Sequence, residues 1–396
     1  MTEYMTEEIY WAALHKIWEN KQNSGRILRE LLQHTTGEFL WKASALTLDQ
    51  HLPDLPAEYK QALLFERRRY DLNKIEAYIQ KNQIQILLFH DALYPSLLKE
   101  IHQPPAILYY KGKFINEPLQ IGMVGSRNAD GYGLRAAETI GAQFSQANVP
   151  VVSGLAKGID AAAHKGAITH QGGTIAVQGC GIDQVYPKEN KKLAEEILAH
   201  EKGCILTEFP IGSEPAAWHF PMRNRIISGL SQGVVIVQAA RKSGAYITVE
   251  TALEQGRDVF AVPGELYNPL SEGPHQLLKE GAQMITCAED VLASYGIHKE
   301  VKKKSRKSNK SEMKNENNAK PEEQQMTLFQ APPTPDVPLT SEEERVLGLF
   351  TTEPLSIEEA AYLAKLPMSE LMAILSMLEL YGLIEPMVGR KYIRIG

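Results

Sequence analysis

Ile121-Gly-Met-Val-Gly-Ser-Arg127 and Val151-Val-Ser-Gly-Leu-Ala-Lys-Gly-Ile-Asp160 decide how this chain is read. Each is a short apolar run that ends in Gly and Ser and then opens into a helix-like segment. A parallel strand covered on both faces gives such a run. Small residues at its end let backbone approach a ligand, and the helix that follows presents N–H groups and a partial positive charge. Each turn also carries a cation, Arg127 in the first and Lys157 in the second. Gly125, Ser126 and Arg127, with Ser153, Gly154 and Lys157, are therefore candidate phosphate ligands at the switch point of a doubly wound sheet.

The surrounding chain supports that fold. Strand-like runs at Gln120–Val124, Val149–Ser153, Thr174–Gln178, Cys204–Glu208, Val234–Gln238 and Val259–Val262 alternate with helix-like runs. Those run over Leu134–Gln146, Ile159–Thr169, Asn190–His200, Arg223–Leu230 and Thr248–Gln255. Strict alternation predicts an α/β domain on a parallel sheet. Gly131-Tyr-Gly-Leu-Arg-Ala136 matches the dinucleotide fingerprint as a string, but it starts six residues past Gly125, and the second strand ends in Ser153-Gly154 without a ribose-binding acid. The chain has no P-loop sequence either, so nicotinamide and P-loop chemistry are disfavoured.

A third element, Trp218-His-Phe-Pro-Met-Arg-Asn-Arg-Ile-Ile-Ser-Gly-Leu-Ser231, adds cations and aromatics. Pro221 is expected in the first helical position. Arg223 and Arg225 offer forked donors for phosphate, with Asn224 between them. Phe220 and Trp218 offer faces for unpaired bases, worth roughly 1–3 kcal/mol per base. The competing reading packs the aromatics into the core and pairs the arginines with Glu208 or Glu214. Lys188, after Tyr186-Pro187, is expected to flank the same surface. Asp160 and His164, four apart on one helix face, mimic a catalytic or metal pair; with no third ligand placed, a structural pair capping the second turn is the preferred reading.

These segments resemble the DprA/Smf DNA-processing proteins of bacterial transformation. The resemblance covers about 85 to 290. It rests on Pro104–Gly112, Val124–Arg127, Ser153–Asp160 with Ala163-His164, Phe220–Ser231, Ser243-Gly244 and Gly256–Gly264. It implies a Rossmann-like domain that binds single-stranded DNA, forms a homodimer and loads the RecA recombinase, with Ser243 and Gly244 joining the DNA site. Gln238 stands where the family usually has Glu, and Gly273-Pro274-His275-Gln276 replaces its usual Gly-Thr/Cys-Asn-Gln turn. Both departures put the geometry after the last helix in question rather than the phosphate mouths.

Charge constrains how such a site works. The net charge is −6, and residues 105–295 hold 16 Lys and Arg against 19 Asp and Glu. Binding must rest on a local patch with focused field, not on overall charge. Cys180, Cys204 and Cys287 form no metal or disulfide spacing, which suits a reducing cytoplasm. The start lacks a basic, apolar leader pattern, and no run approaches the roughly 20 apolar residues of a membrane span.

Residues 1–84 read as a helical domain of the SAM or helix-hairpin-helix kind, with Trp11, Leu14, Ile17 and Trp18 on one face, although no clear Gly-x-Gly hairpin is present. The DNA-binding domain is placed at 85–298. Residues 299–338 are polar, basic and then Pro-rich, and read as a disordered linker. Within it Gln325-Met-Thr-Leu-Phe329 resembles the peptides by which bacterial replication and repair proteins dock on the sliding clamp, with Gln325 at the pocket rim and Leu328 and Phe329 in the cleft. Residues 339–396 read as a winged helix. Thr340-x-x-Glu343 and Ser356-x-x-Glu359 open two helices, a third runs from about Ser369 to Tyr381, and a hairpin turns at Gly389-Arg390. The third helix carries only Glu370 and Glu379 as charges, so this module is read as a protein-contact rather than a groove-reading one; only Arg390, Lys391 and Arg394 in the wing are placed to meet a phosphate.

The expected function is that of a non-enzymatic single-strand mediator without cofactor or metal. Two alternatives stand beside it. One is a nucleotide-processing enzyme related to the phosphoribohydrolases, whose Pro-Gly-Gly-x-Gly-Thr-x-x-Glu motif Val262-Pro-Gly-Glu-Leu266 leaves at once. The other is a protein adaptor with a vestigial phosphate site.

Overall fold

The computed structural model describes residues 5–241, 243–297, 339–351, 355–381, 383–387 and 391–394. The linker with Gln325, Leu328 and Phe329, and the Gly389-Arg390 turn, lie outside the described residues. The chain divides into two compact units, Met1–Lys303 and Lys304–Gly396.

The first unit is built on a nine-stranded sheet. Its strands are β1 (Gln85–Leu88), β2 (Ile107–Gly112), β3 (Ile121–Val124), β4 (Val151–Ser153), β5 (Thr174–Val177), β6 (Gly203–Thr207), β7 (Gly233–Ile236), β8 (Asp258–Ala261) and β9 (Gln283–Met284). They lie in the order β1-β2-β6-β5-β4-β3-β7-β8-β9. From β6 to β9 every pairing is parallel. The chain runs outward from β3 through β4, β5 and β6, then returns to place β7 on the other side of β3. That reversal is the switch point, and a doubly wound sheet opens its ligand crevice there.

Burial on both faces explains the strand sequences. Ile121 and Met123 of β3 join Ile140, Phe144, Ile159 and Val235 in one core layer. Val124 faces the other way and joins Val152, Ile226, Val234 and Val249. Alternate side chains of one strand thus enter two different cores, which is why the run is apolar throughout.

All six expected strands and five expected helices form, with ends shifted by a few residues. The starts of His219–Gly229 and Gly244–Glu254 each move four residues earlier, and the first begins two residues before Pro221, which takes the third position and still lies within the first turn. Three strands were not expected: β9, parallel to β8 at one edge, and β1 and β2 at the other. β1 and β2 pair antiparallel, and β2 pairs antiparallel with β6, so the sheet is mixed at this edge.

Six α-helices precede β1, between Glu7 and Lys81. Trp11, Leu14 and Trp18 are buried, and the Trp18 indole donates to the Tyr59 carbonyl at 3.2 Å. Their core is continuous with Ile107, Tyr109, Ala176 and Ile205 of the sheet, so helices and sheet share one hydrophobic interior.

The second unit has helices Ser341–Leu347, Ile357–Ala364 and Met368–Leu380. Its three-stranded sheet of β10 (Leu355–Ser356), β11 (Ile384–Met387) and β12 (Lys391–Arg394) is ordered β10-β12-β11. Both expected capping boxes are present at Thr340/Glu343 and Ser356/Glu359. Phe350, Ile357, Leu371, Leu375 and Ile384 form its core.

The helices Gly131–Gln146 and Ile159–Ala167 cross closely because Gly166 lies against the Glu138 carbonyl oxygen, which a Cβ would overlap. Gly166→Ala is expected to destabilise the first unit by about 1–3 kcal/mol in chemical unfolding, as overpacking does. Gly131→Ala, which meets only the end of the flexible Arg135 side chain, should change little. Equal stability of parent and Gly166→Ala would contradict the close crossing.

Candidate nucleic-acid interface

The turns after β3 and β4 do not form two separate mouths. They pack on each other. The Ile159 N–H donates to the Ser126 carbonyl at 3.1 Å, and the Ser126 N–H donates to the Gln238 carbonyl after β7 at 2.6 Å. Gly125 sits where a Cβ would strike Ile159, and Gly158, at φ +75°, lies against the Ser126 carbonyl. The glycines therefore let three loops meet at the switch point.

The first helix end and the N–H groups of the second turn are already engaged, contrary to the expectation of open anion sites. Asp130 caps the helix Gly131–Gln146 by accepting from the Gly133 N–H at 2.9 Å. That bond, with donations from Gln238 and Asn268, holds its carboxyl down at about 2. Gln238 also accepts from the Asp130 N–H at 3.2 Å, so the amide serves both groups where a second carboxylate would repel the cap. In the second turn Asp160 accepts from the Gly154 N–H at 3.1 Å. His164 Nε2 accepts from the Leu155 N–H at 3.2 Å, and its Nδ1 lies 2.7 Å from the Thr174 hydroxyl. Burial, and then the charge of Arg223, push the imidazole down to about 3. Asp160 and His164 thus cap the turn and hold Leu155 in its left-handed conformation, φ +55°. Ser153 is likewise committed, its buried hydroxyl donating to the Met123 carbonyl at 2.6 Å.

What remains at the switch point is one cleft of about 670 Å³. Gly125, Ser126 and Arg127 line one side, Phe220, Arg223 and Asn224 another, and Ser243-Gly244 a third. Arg223 is its floor, 3% exposed. A Cβ at Gly154 would overlap the Arg223 guanidinium, so this glycine exists to make room for it. Arg223 Nη1 is 3.9 Å from Asp160 Oδ2, too long for a hydrogen bond. Among the described residues its Nε and Nη1 have no hydrogen-bond partner, and neither has the buried Ser243 hydroxyl. Burial lowers the Arg223 guanidinium to about 10, Asp160 supports its charge, and Arg127 opposes it. At neutral pH the floor is a cation with unused donors.

Arg127 is exposed, and its guanidinium carbon lies 5.1 Å from the Phe220 ring centroid. Tyr186 tilts 41° to the same ring at 5.5 Å and is 43% exposed. Tyr186 was missed as a site residue, although its place beside Pro187 and Lys188 was a signal. The N-terminus of helix Gly244–Glu254 closes the cleft, with no side-chain cap from Ser243.

Ser153 and Gly154 do not line the cleft, Trp218 lines a different one, and three further expected residues lie elsewhere. Arg225 is ion-paired with Glu208 and faces a different cleft. Lys157 is held by Glu189 at 2.6 Å on the surface, and Lys188 is exposed in the adjoining turn; both sit beside the cleft rather than in it. Among the described residues no cluster of His, Cys, Asp or Glu is arranged to hold a metal, and no helix is long and apolar enough to cross a membrane.

Residues 85–296 match the family described as DNA recombination-mediator protein A, and residues 330–390 match the DprA winged helix domain. The chain belongs to the DNA recombination-mediator protein A family. It is 38% identical over 279 residues to the DNA processing protein DprA of Bacillus subtilis, covering 69% of this chain and 87% of that one. Protein Smf of Synechocystis is 32% identical over an alignment of 412 residues, 98% of this chain and 99% of its own. The X-ray structure of DNA processing protein A from Streptococcus pneumoniae matches with a TM-score of 0.60 and 35% identity, covering 73% of this chain and 99% of that chain. Membership gives this chain a DNA-processing, recombination-mediator role.

The buried imidazole has a thermodynamic consequence. Its folded pKa, about 3, lies below the ordinary value, 6.5. The stability it confers is therefore complete above 6.5 and is lost as pH falls toward 3. His164→Gln is expected to remove one proton from the pH dependence of unfolding, roughly 1.4 kcal/mol per pH unit between about pH 6 and 4. Asp160, whose carboxyl is raised by burial, runs in the opposite sense in both proteins and cancels from the comparison. Parallel stability curves for parent and variant would show that His164 is not held neutral.

Proposed function

We propose that the chain binds single-stranded DNA in the switch-point cleft and delivers it to a RecA-type recombinase, without itself catalysing a reaction. The observation that carries the first part is the buried Arg223, with unused donors, beneath an exposed Arg127 held on an aromatic ring. Phosphate is the ligand such a fork accepts. Tyr186 and Phe220 supply ring surface at the same rim, which suits unstacked bases and favours a flexible strand over a duplex. Delivery to RecA, a homodimer formed through the sheet domain and a cytoplasmic setting rest on the family resemblance. The division into a helical domain at 1–84, a DNA-binding domain at 85–298 and a linker at 299–338 rests on periodicity and composition, and the winged helix also on the family match over 330–390.

The enzymatic alternative finds no support in the one candidate pair, since His164 and Asp160 are spent on backbone N–H groups. Docking of the linker motif on a sliding clamp is a separate proposal, tested with a peptide of residues 320–334. It should bind purified clamp with micromolar affinity and lose it when Leu328 and Phe329 both become Ala. Binding indifferent to that change would end the idea.

For the cleft, Arg127→Ala should weaken single-strand binding and lower the log–log salt slope by about 0.7, the signature of one lost phosphate contact. Phe220→Ala, which removes the support of Arg127 as well as a ring, should reduce single-strand affinity more than duplex affinity. Lys157→Ala should act more weakly than Arg127→Ala because Glu189 already neutralises it. Unchanged affinity and slope in Arg127→Ala would refute the site.

A further inference from the structure

A second cleft, of about 590 Å³, lies between the N-terminal helices and the sheet. It is separated from the first by a single helix. On His219–Gly229 and the residue before it, Phe220, Arg223, Asn224 and Ile227 line the first cleft, whereas Trp218, Met222 and Arg225 line the second. The spacing of the second set, i, i+4 and i+7, is one helical face. The two clefts are therefore the two flanks of one helix, about 10 Å apart across its body.

The second cleft carries an excess of positive charge. Lys21, Arg26, Arg29 and Arg225 line it against Glu19 and Glu208. Glu19 is already engaged by Lys16 at 2.7 Å and by the Ser213 hydroxyl. Glu208 is engaged by Arg225. Arg29 has no carboxylate within 4.0 Å among the described residues; it donates to the Pro104 carbonyl at 2.5 Å. Its guanidinium is lowered by burial and then by the charge of Arg225. Glu208 is thus paired with Arg225 alone, Arg29 acts on it only through space, and Arg225 Nε and Nη1 have no hydrogen-bond partner among the described residues. Trp218, 52% exposed, lines this cleft next in sequence to Ala217, which lines the first, and is braced edge-on by Phe209 and His219. A half-exposed Trp is costly to leave in water and is the best stacking face for a base.

We propose that this cleft is a second subsite for the same single strand, with one base stacked on Trp218 at the crossing and the next phosphates held by Arg29 and Arg225. The proposal rests on the single-strand reading of the first cleft. It makes the N-terminal helices part of the DNA path. Continuity across one helix and the ring at the crossing favour a strand over an acidic peptide.

The test is a length series of labelled oligothymidylates, from about 4 to about 16 nucleotides, with the full chain. Parent affinity should continue to rise past the length that fills the first cleft. Trp218→Ala and Arg29→Gln should keep the affinity for the shortest oligonucleotide that binds and lose about tenfold for the longer ones. Arg29→Gln should lower the salt slope by about 0.7, and Arg29→Lys should restore it. Because Arg29 also holds the Pro104 carbonyl, the surface variant Trp218→Ala decides the case if Arg29→Gln melts early. Identical length dependence in parent and Trp218→Ala overturns the second subsite. So does Arg29-dependent binding of thymidine monophosphate or inorganic phosphate with unchanged length dependence, which would make the cleft a site for a free nucleotide or ion. Displacement of a long oligonucleotide from the parent by an acidic peptide, but not from Arg29→Gln, would assign the cleft to a protein partner instead. Failure of the first-cleft reading looks different, since no oligonucleotide of any length would then distinguish the parent from Arg127→Ala.

Discussion

The guanidinium of Arg223 is the constraint around which the switch point is arranged. Burying a cation costs several kcal/mol unless charge and hydrogen bonds replace the lost water. Here replacement is partial. Asp160 stands at 3.9 Å and spends its hydrogen bond on the Gly154 N–H, and two of the guanidinium nitrogens have no partner among the described residues. The neighbouring features follow from holding that group in place. Gly154 lacks a Cβ because the guanidinium occupies the space, and His164 secures the strained residue beside it. In the proposed function, an anion entering the cleft would supply what the chain withholds.

Low overall charge becomes intelligible on this basis. A chain of net charge −6 cannot hold nucleic acid by a broad basic surface. It can do so where one cation is desolvated at the floor of a cleft and another, Arg127, is held at the rim by Phe220. Lys157 lies outside this arrangement, paired with Glu189 in solvent, where an ion pair is worth little and salt screens it further.

The alternation of strands and helices between 120 and 262 was legible because each apolar run is buried on both faces, and Gly-Ser-Arg at 125–127 lines the switch-point cleft. The edge strands β1 and β2 were not. Their pairing is antiparallel and set by contact with β6, which local periodicity does not encode. Arg223 and Arg225 were grouped as one site, yet residues two apart on a helix point to opposite sides, a signal the sequence did contain. The engaged N–H groups of the two turns divide in the same way. Asp130 stands in an ordinary N-cap position three residues before Gly133 and was readable. The bond from His164 back to Leu155 depends on a left-handed residue that no local pattern announced.

The central claim is that a phosphate of bound single-stranded DNA completes the coordination of Arg223. A structure of the chain with a short oligothymidylate tests it most directly. The account predicts a phosphate oxygen within about 2.7–3.2 Å of an Arg223 guanidinium nitrogen, with Arg127 and the Ser243-Gly244 helix end around the same strand. An oligonucleotide bound elsewhere on the chain, with the Arg223 donors still unpaired, would contradict it.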